Sequence, residues 1–241
     1  MHGPSFRRDH MNERKEYPLA SESLETVGVW DPLVRVCHWS LVGTFFLAYF
    51  TEDELLTVHV WAGYAVGCIV ILRVLWGFIG PKYARFSDFV FGPQKVWSYL
   101  ADLVSFRAKR YLGHSPAGGT MAVALLIGLT ATVWSGLETY AIEENAGPFA
   151  GSTAVTSEKA EASPSARVHL ASEEGERKGL EESERESKAG EEGEFWEEAH
   201  EFLADLMLAL VIIHLLGVGF TSVIHRENLV RAMITGNKRV Q

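Results

Sequence analysis

The chemistry of this chain should lie in its histidines, because imidazole is both a proton carrier and the commonest protein metal ligand. In EEAHEFLADLMLALVIIHLLGVGF, His200 and His214 stand fourteen residues apart, the second inside a long apolar run. On a helix that interval is about 3.9 turns and a rise of roughly 21 Å, with both rings within about 40° of one face. The same interval separates His59 from Arg73 in HVWAGYAVGCIVILR. His38, in RVCHWSLVG, has Arg35 one turn before it. Ionisable side chains in apolar surroundings are costly and mark functional candidates. The spacing marks two depths on one side of a helix, each with an imidazole.

The elements that must carry these residues are four long apolar segments, at about residues 33–50, 58–79, 117–137 and 202–224. Each has the length needed to cross a hydrocarbon layer of roughly 30 Å. The net charge of −9 over 241 residues describes no single part of the chain. The expected class is therefore all-α, an integral membrane four-helix bundle. A polar tail, 1–28, without the apolar core of a cleavable signal, precedes a four-span domain over 29–239. Cys37 and Cys68 both fall inside spans, and neither belongs to the C-x-x-C-H sequence of covalent heme attachment.

Orientation follows from lysine and arginine near the span ends. Basic residues gather in the N-terminal tail with Arg35, in the second connection (Lys82 to Arg110) and after the fourth span (Arg226 to Arg239). The first connection, TEDELLT, has none, and the third is dominated by glutamate. Both termini are expected on the cytoplasmic side of a bacterial inner membrane. The glutamate-rich stretch 140–199 interrupts the four-span domain and reads as a disordered periplasmic loop with too few apolar residues to order itself. It could serve as an acidic lure for a basic partner, although charge runs more often only solvate. In the second connection an interfacial helix is expected over about 93–107, with Val96, Leu100, Leu103 and Val104 on one side. There is no internal repeat, phosphate loop or zinc-type cysteine pair, and no nucleic-acid partner is expected.

Depth then sorts the histidines. His59 opens the second span and His200 the fourth, both on the far side, while His38 and His214 lie towards the cytoplasm. The pairs His59 with His200 and His38 with His214 each join two helices, the geometry for bis-histidine ligation of a heme inside a bundle. Taken singly, His59 and His200 read as interfacial residues, and His38 and His214 as hydrogen-bonded core residues. Two matched depths are harder to obtain by accident. Arg73 should lie at the depth of the His38–His214 pair and Arg35 should face the same way, which makes both candidates for the heme propionates. Snorkelling to lipid headgroups is the competing reading for Arg35. His225 reads as interfacial.

RVCHWSLVG, HVWAGYAVG and AHEFLADLMLALVIIHLLGV resemble the bacterial cytochrome b561 family. RVLWGFIGPKYARFSDFVFGP, YLGHSPAGG and HRENLVRAMITGNK resemble its branch of b-type cytochrome subunits of nickel-iron hydrogenases. The resemblance covers about 28–140 and 195–239. It implies two non-covalent b hemes held by the four histidines, and electron transfer between the quinone pool and a periplasmic partner such as a c-type cytochrome. A different class, a membrane anchor and relay subunit for a hydrogenase or similar peripheral oxidoreductase, stays open. So does a metal-ion transporter, which the scarcity of carboxylates in the spans (Asp205 within, Glu138 beside) places last.

Overall fold

The computed structural model describes residues 26–52, 55–150 and 173–239. Helix α1 (Pro32–Phe50) begins where Asp31 accepts hydrogen bonds from the N–H groups of Leu33, at 2.8 Å, and Val34, with Pro32 in the first turn. Its missing N–H costs nothing there, since the first helical N–H groups have no partner in the helix. Helices α2 (Leu56–Ile79) and α5 (Pro116–Glu143) follow, with the short α3 (Phe86–Phe89) and α4 (Pro93–Val104) between them. Ser115 caps α5 through its hydroxyl oxygen on Gly118 N–H at 3.1 Å. Helix α6 (Glu173–Ile224) and α7 (Leu229–Thr235) follow among the described residues.

Helices α1, α2, α5 and α6 supply four segments long and apolar enough to cross a membrane. They pack α1 on α2, α2 on α5 and α5 on α6. Val66, Val70, Leu129 and Met207 form the buried centre, with Phe45, Val133 and Leu210 around them. Gly128 lets Met207 press against α5, because a Cβ there would overlap its sulfur. Outward faces carry exposed Leu47, Ile71, Ile127, Ile213 and Leu216. A bundle exposing such residues along its length suits a solvent of lipid tails.

Three local expectations need correcting. Residues 26–28, assigned to the polar tail, form strand β1 (Thr26–Gly28), which pairs antiparallel with β2 (Asn237–Arg239) in register Thr26↔Arg239. Among the described residues the fold is thus helical with one two-stranded ribbon, which ties Thr26–Gly28 to Asn237–Arg239. The interfacial helix exists, but it buries Tyr99 and Leu103 and leaves Trp97, Leu100 and Val104 exposed.

The third correction concerns the 140–199 stretch, read above as a disordered loop. Within it α5 continues to Glu143, α6 is helical from Glu173, and 151–172 lie outside the described residues. The glycines at 175, 179, 190 and 193 cost about 1 kcal/mol each against alanine. The Glu, Lys, Arg and Ala between them are strong helix formers, and extending an existing helix avoids the nucleation cost.

Candidate functional site

The two expected histidine pairs form, and α6 contributes one member to each. His59, in the first turns of α2, faces His200 with ring centroids 5.9 Å apart and planes at 84°. One level along, His38 of α1 faces His214 with centroids 6.5 Å apart and planes at 60°. A metal–imidazole bond of about 2 Å, with about 1 Å more to each ring centre, would set two rings that share one metal about 6 Å apart. Both separations fit one metal centre between two rings. Among the described residues no group of three or more histidine, cysteine or acidic side chains converges. The site offers ligands two by two.

The outer pair is oriented from behind. His59 Nδ1 lies 3.0 Å from the Ala48 carbonyl oxygen at the end of α1. His200 Nδ1 lies 3.0 Å from the Thr132 carbonyl oxygen on α5 and 3.1 Å from Ser135 Oγ. A carbonyl can only accept, so in both rings Nδ1 carries the proton and donates. Each Nε2 then keeps its lone pair, the tautomer that metal ligation requires. Gly136 makes the approach of His200 possible: a Cβ there would stand 2.7 Å from His200 Cε1.

Between α1, α2, α5 and α6 a narrow cleft of about 90 Å³ opens at the His59–His200 pair, walled by Phe45, Tyr49, Tyr64, Val133 and Tyr140. Gly63 also lines it, and a Cβ at that position would meet nothing within 4 Å. Asp205, the carboxylate inside the fourth span, accepts a hydrogen bond from Tyr49 Oη at 3.0 Å. An aromatic and aliphatic slot with two inward imidazoles suits a flat, apolar macrocycle.

The arginines sit at the end of the bundle that carries both chain ends. Arg35 Nη1 donates to the Ile234 carbonyl at 2.6 Å, and its Nε is buried without a partner. Arg73 is 8% exposed; its Nη1 donates to the Ala84 carbonyl at 3.3 Å and its guanidinium lies 5.6 and 5.8 Å from the rings of Phe86 and Phe89. Among the described residues neither has a carboxylate within ion-pair distance. Cys37 is buried and Cys68 exposed, both as free thiols.

Sequence reasoning missed Ala48, Thr132, Ser135 and Gly136, since three of them act through backbone or absence of a side chain. The pair SG within α5 was the only available signal. It also missed His114, which lies edge-on to Trp30 at 4.7 Å and against Phe89 at 4.4 Å, and Lys238, buried beside it. His225, read as interfacial, has a buried Nε2 without a partner.

A family model described as prokaryotic cytochrome b561 matches residues 29–236. No curated protein and no solved structure matches the chain.

Proposed function

We infer the function of this chain from the premise that it belongs to the prokaryotic cytochrome b561 family. That family transfers electrons across membranes through b-type heme, and four apolar helices make the chain a multi-pass inner-membrane protein. The finer reading is two non-covalent b hemes, the outer on His59 and His200 and the inner on His38 and His214. Heme iron at each pair would supply a reversible one-electron couple. The protein's own part is to hold two imidazoles in one tautomer, exclude water and set the local charge.

The observation that carries this reading is the spacing of both ring pairs, at two levels of one helix. The Nδ1 bonds to Ala48 and Thr132 support it at the outer level. Arg35 and Arg73 would receive propionates at the inner level, since each is a cation with no carboxylate of its own among the described residues. The basic residues gathered at that end favour placing it, and both termini, in the cytoplasm.

Electrons then pass between the two levels, between the quinone pool and a periplasmic partner such as a c-type cytochrome. The resemblance to hydrogenase cytochrome subunits supports a second reading, in which the partner is a peripheral hydrogenase that the bundle also anchors. A reduced-minus-oxidised spectrum with heme quantitation on the purified protein tests the central claim. Two b hemes per chain are expected; a chain purified without a b-type α-band overturns it.

A further inference from the structure

The cytoplasm-facing end is closed by a strap made of β1, β2 and α7. Val29 and Trp30 donate backbone N–H groups to the Gly236 carbonyl at 2.8 and 3.0 Å. Gly236 has φ +85°, and a Cβ there would stand 3.0 Å from the Trp30 carbonyl oxygen and 3.3 Å from Arg35 Cζ. The strap therefore fixes both Arg35 and Trp30. Trp30 in turn packs on His114, His114 on Phe89, and Phe89 lies under the Arg73 guanidinium. From the other side Lys238 Nζ donates to the Tyr111 carbonyl at 3.3 Å, three residues before His114.

Basic groups outnumber acidic ones in this enclosure. Arg73 and Lys238 lie near enough to His114 to act on its charge, Arg35 packs on Gly236 of the strap, and the carboxylates described at this end are Asp31, which caps α1, and Glu227, already paired with Arg110 and 3.8 Å from Lys238 Nζ. Among the described residues, two buried nitrogens, Arg35 Nε and His114 Nδ1, have no hydrogen-bond partner. Each such nitrogen carries a desolvation cost, and a buried arginine charge needs an anion as well. The shape of the deficit is that of carboxylates not supplied by the described residues.

We propose that His114 is a carboxylate-binding residue of the inner heme site, donating from Nδ1 to a propionate that Arg35 and Arg73 also hold. The proposal rests on the two-heme reading and adds the strap to it: residues 229–239 lock this cradle by fixing Arg35, Trp30 and Lys238. Burial pushes the His114 pKa down to about 3, with Arg73, Lys238 and His214 adding to the effect. The imidazole is thus a neutral donor, suited to a second contact where guanidinium charge is already present.

The test uses the full heme-loaded chain and the variants His114→Phe, which keeps a ring between Trp30 and Phe89, and His114→Gln, which keeps an N–H donor. Retention of each heme against an apo-globin acceptor is followed for heme b and for its dimethyl ester, which lacks carboxylates. His114→Phe should weaken retention of one heme b roughly 10- to 100-fold, the worth of a hydrogen bond to a charged group. The other heme should be unaffected, His114→Gln should recover part of the loss, and the ester should show no difference between variant and wild type. Equal losses of both hemes, or the same loss with the ester, overturn the proposal while leaving two b hemes in place. A wild-type chain without b heme overturns the reading beneath it instead.

Discussion

Substituting Gly136 by alanine tests the outer site without touching a ligand. The added methyl would meet His200 Cε1 at 2.7 Å and Nδ1 at 3.1 Å, where ordinary contact begins near 3.4 Å. The ring must therefore retreat by about 0.7 Å from that contact distance. Its bond to the Thr132 carbonyl, 3.0 Å long, would stretch to about 3.7 Å, beyond any useful hydrogen bond. Metal–ligand distances tolerate only about 0.2 Å, and removing an outer-shell partner typically costs 10- to 100-fold in affinity.

The purified Gly136→Ala chain should thus hold the inner heme fully and the outer one weakly. The readout is one b component lost or slowed in re-reduction, with the heme-to-chain ratio falling towards one. Gly63→Ala serves as the companion: its Cβ meets no protein atom, so a loss of heme there reports occupancy of the cleft rather than a protein clash. Two hemes retained in Gly136→Ala with wild-type potentials and dissociation rates would refute the pairing of His59 with His200.

Other outcomes follow from the same geometry. His200→Ala and His214→Ala should each leave a single b heme, with different potentials in the two variants, as read by redox titration. Ser135→Ala removes the weaker of two contacts to His200 Nδ1, so the outer heme should loosen by about tenfold at most, a cost of roughly 0.5–1.5 kcal/mol; its dissociation rate measures this. The inner component should show the higher midpoint potential, because buried Arg73 and Lys238 favour the added electron, while Asp205 lies towards the outer pair; the two single-heme variants measure it. In heme-free protein His114 takes up its proton far more readily when unfolded, near pH 6.5, than when folded, near 3. Stability is full above about pH 6.5 and falls towards pH 3, by at most about 1.4 kcal/mol per pH unit from this group. Melting curves of His114→Phe should flatten that slope.

What could be read from the sequence was what the bilayer makes linear. Inside a membrane helix, distance along the chain is depth, so His38, His59, His200 and His214 sort into levels before any packing is known. Rotation about the helix axis is not fixed in that way. Helix α5 carries no histidine, and nothing in its composition says that Thr132 and Ser135 face α6. The strap was invisible for a different reason: three-residue strands show no periodicity, and Thr26–Gly28 finds its partner more than two hundred residues away. The packing of Arg73 over Phe86 and Phe89 depends on how α3 folds back, which no spacing along α2 encodes.

Both histidines of the His59–His200 pair solve one problem, that of reaching a carbonyl inside a helical bundle. Helix carbonyls are normally taken by the N–H four residues on. His59 uses Ala48, in the last turn of α1, whose carbonyl also accepts from the Thr51 N–H at 3.1 Å. His200 uses Thr132 in the middle of α5, whose carbonyl it shares with the Ser135 hydroxyl, which donates to it at 3.0 Å. Side chains lean towards the helix N-terminus, so the residue that would cover the Thr132 carbonyl is the one four positions later. That residue is Gly136. The glycine and the carbonyl are therefore one device: removing the side chain exposes the acceptor that sets the His200 tautomer, and the same face of α5 takes Met207 against Gly128. Helix α5 supplies no ligand, yet it decides which nitrogen of His200 can become one.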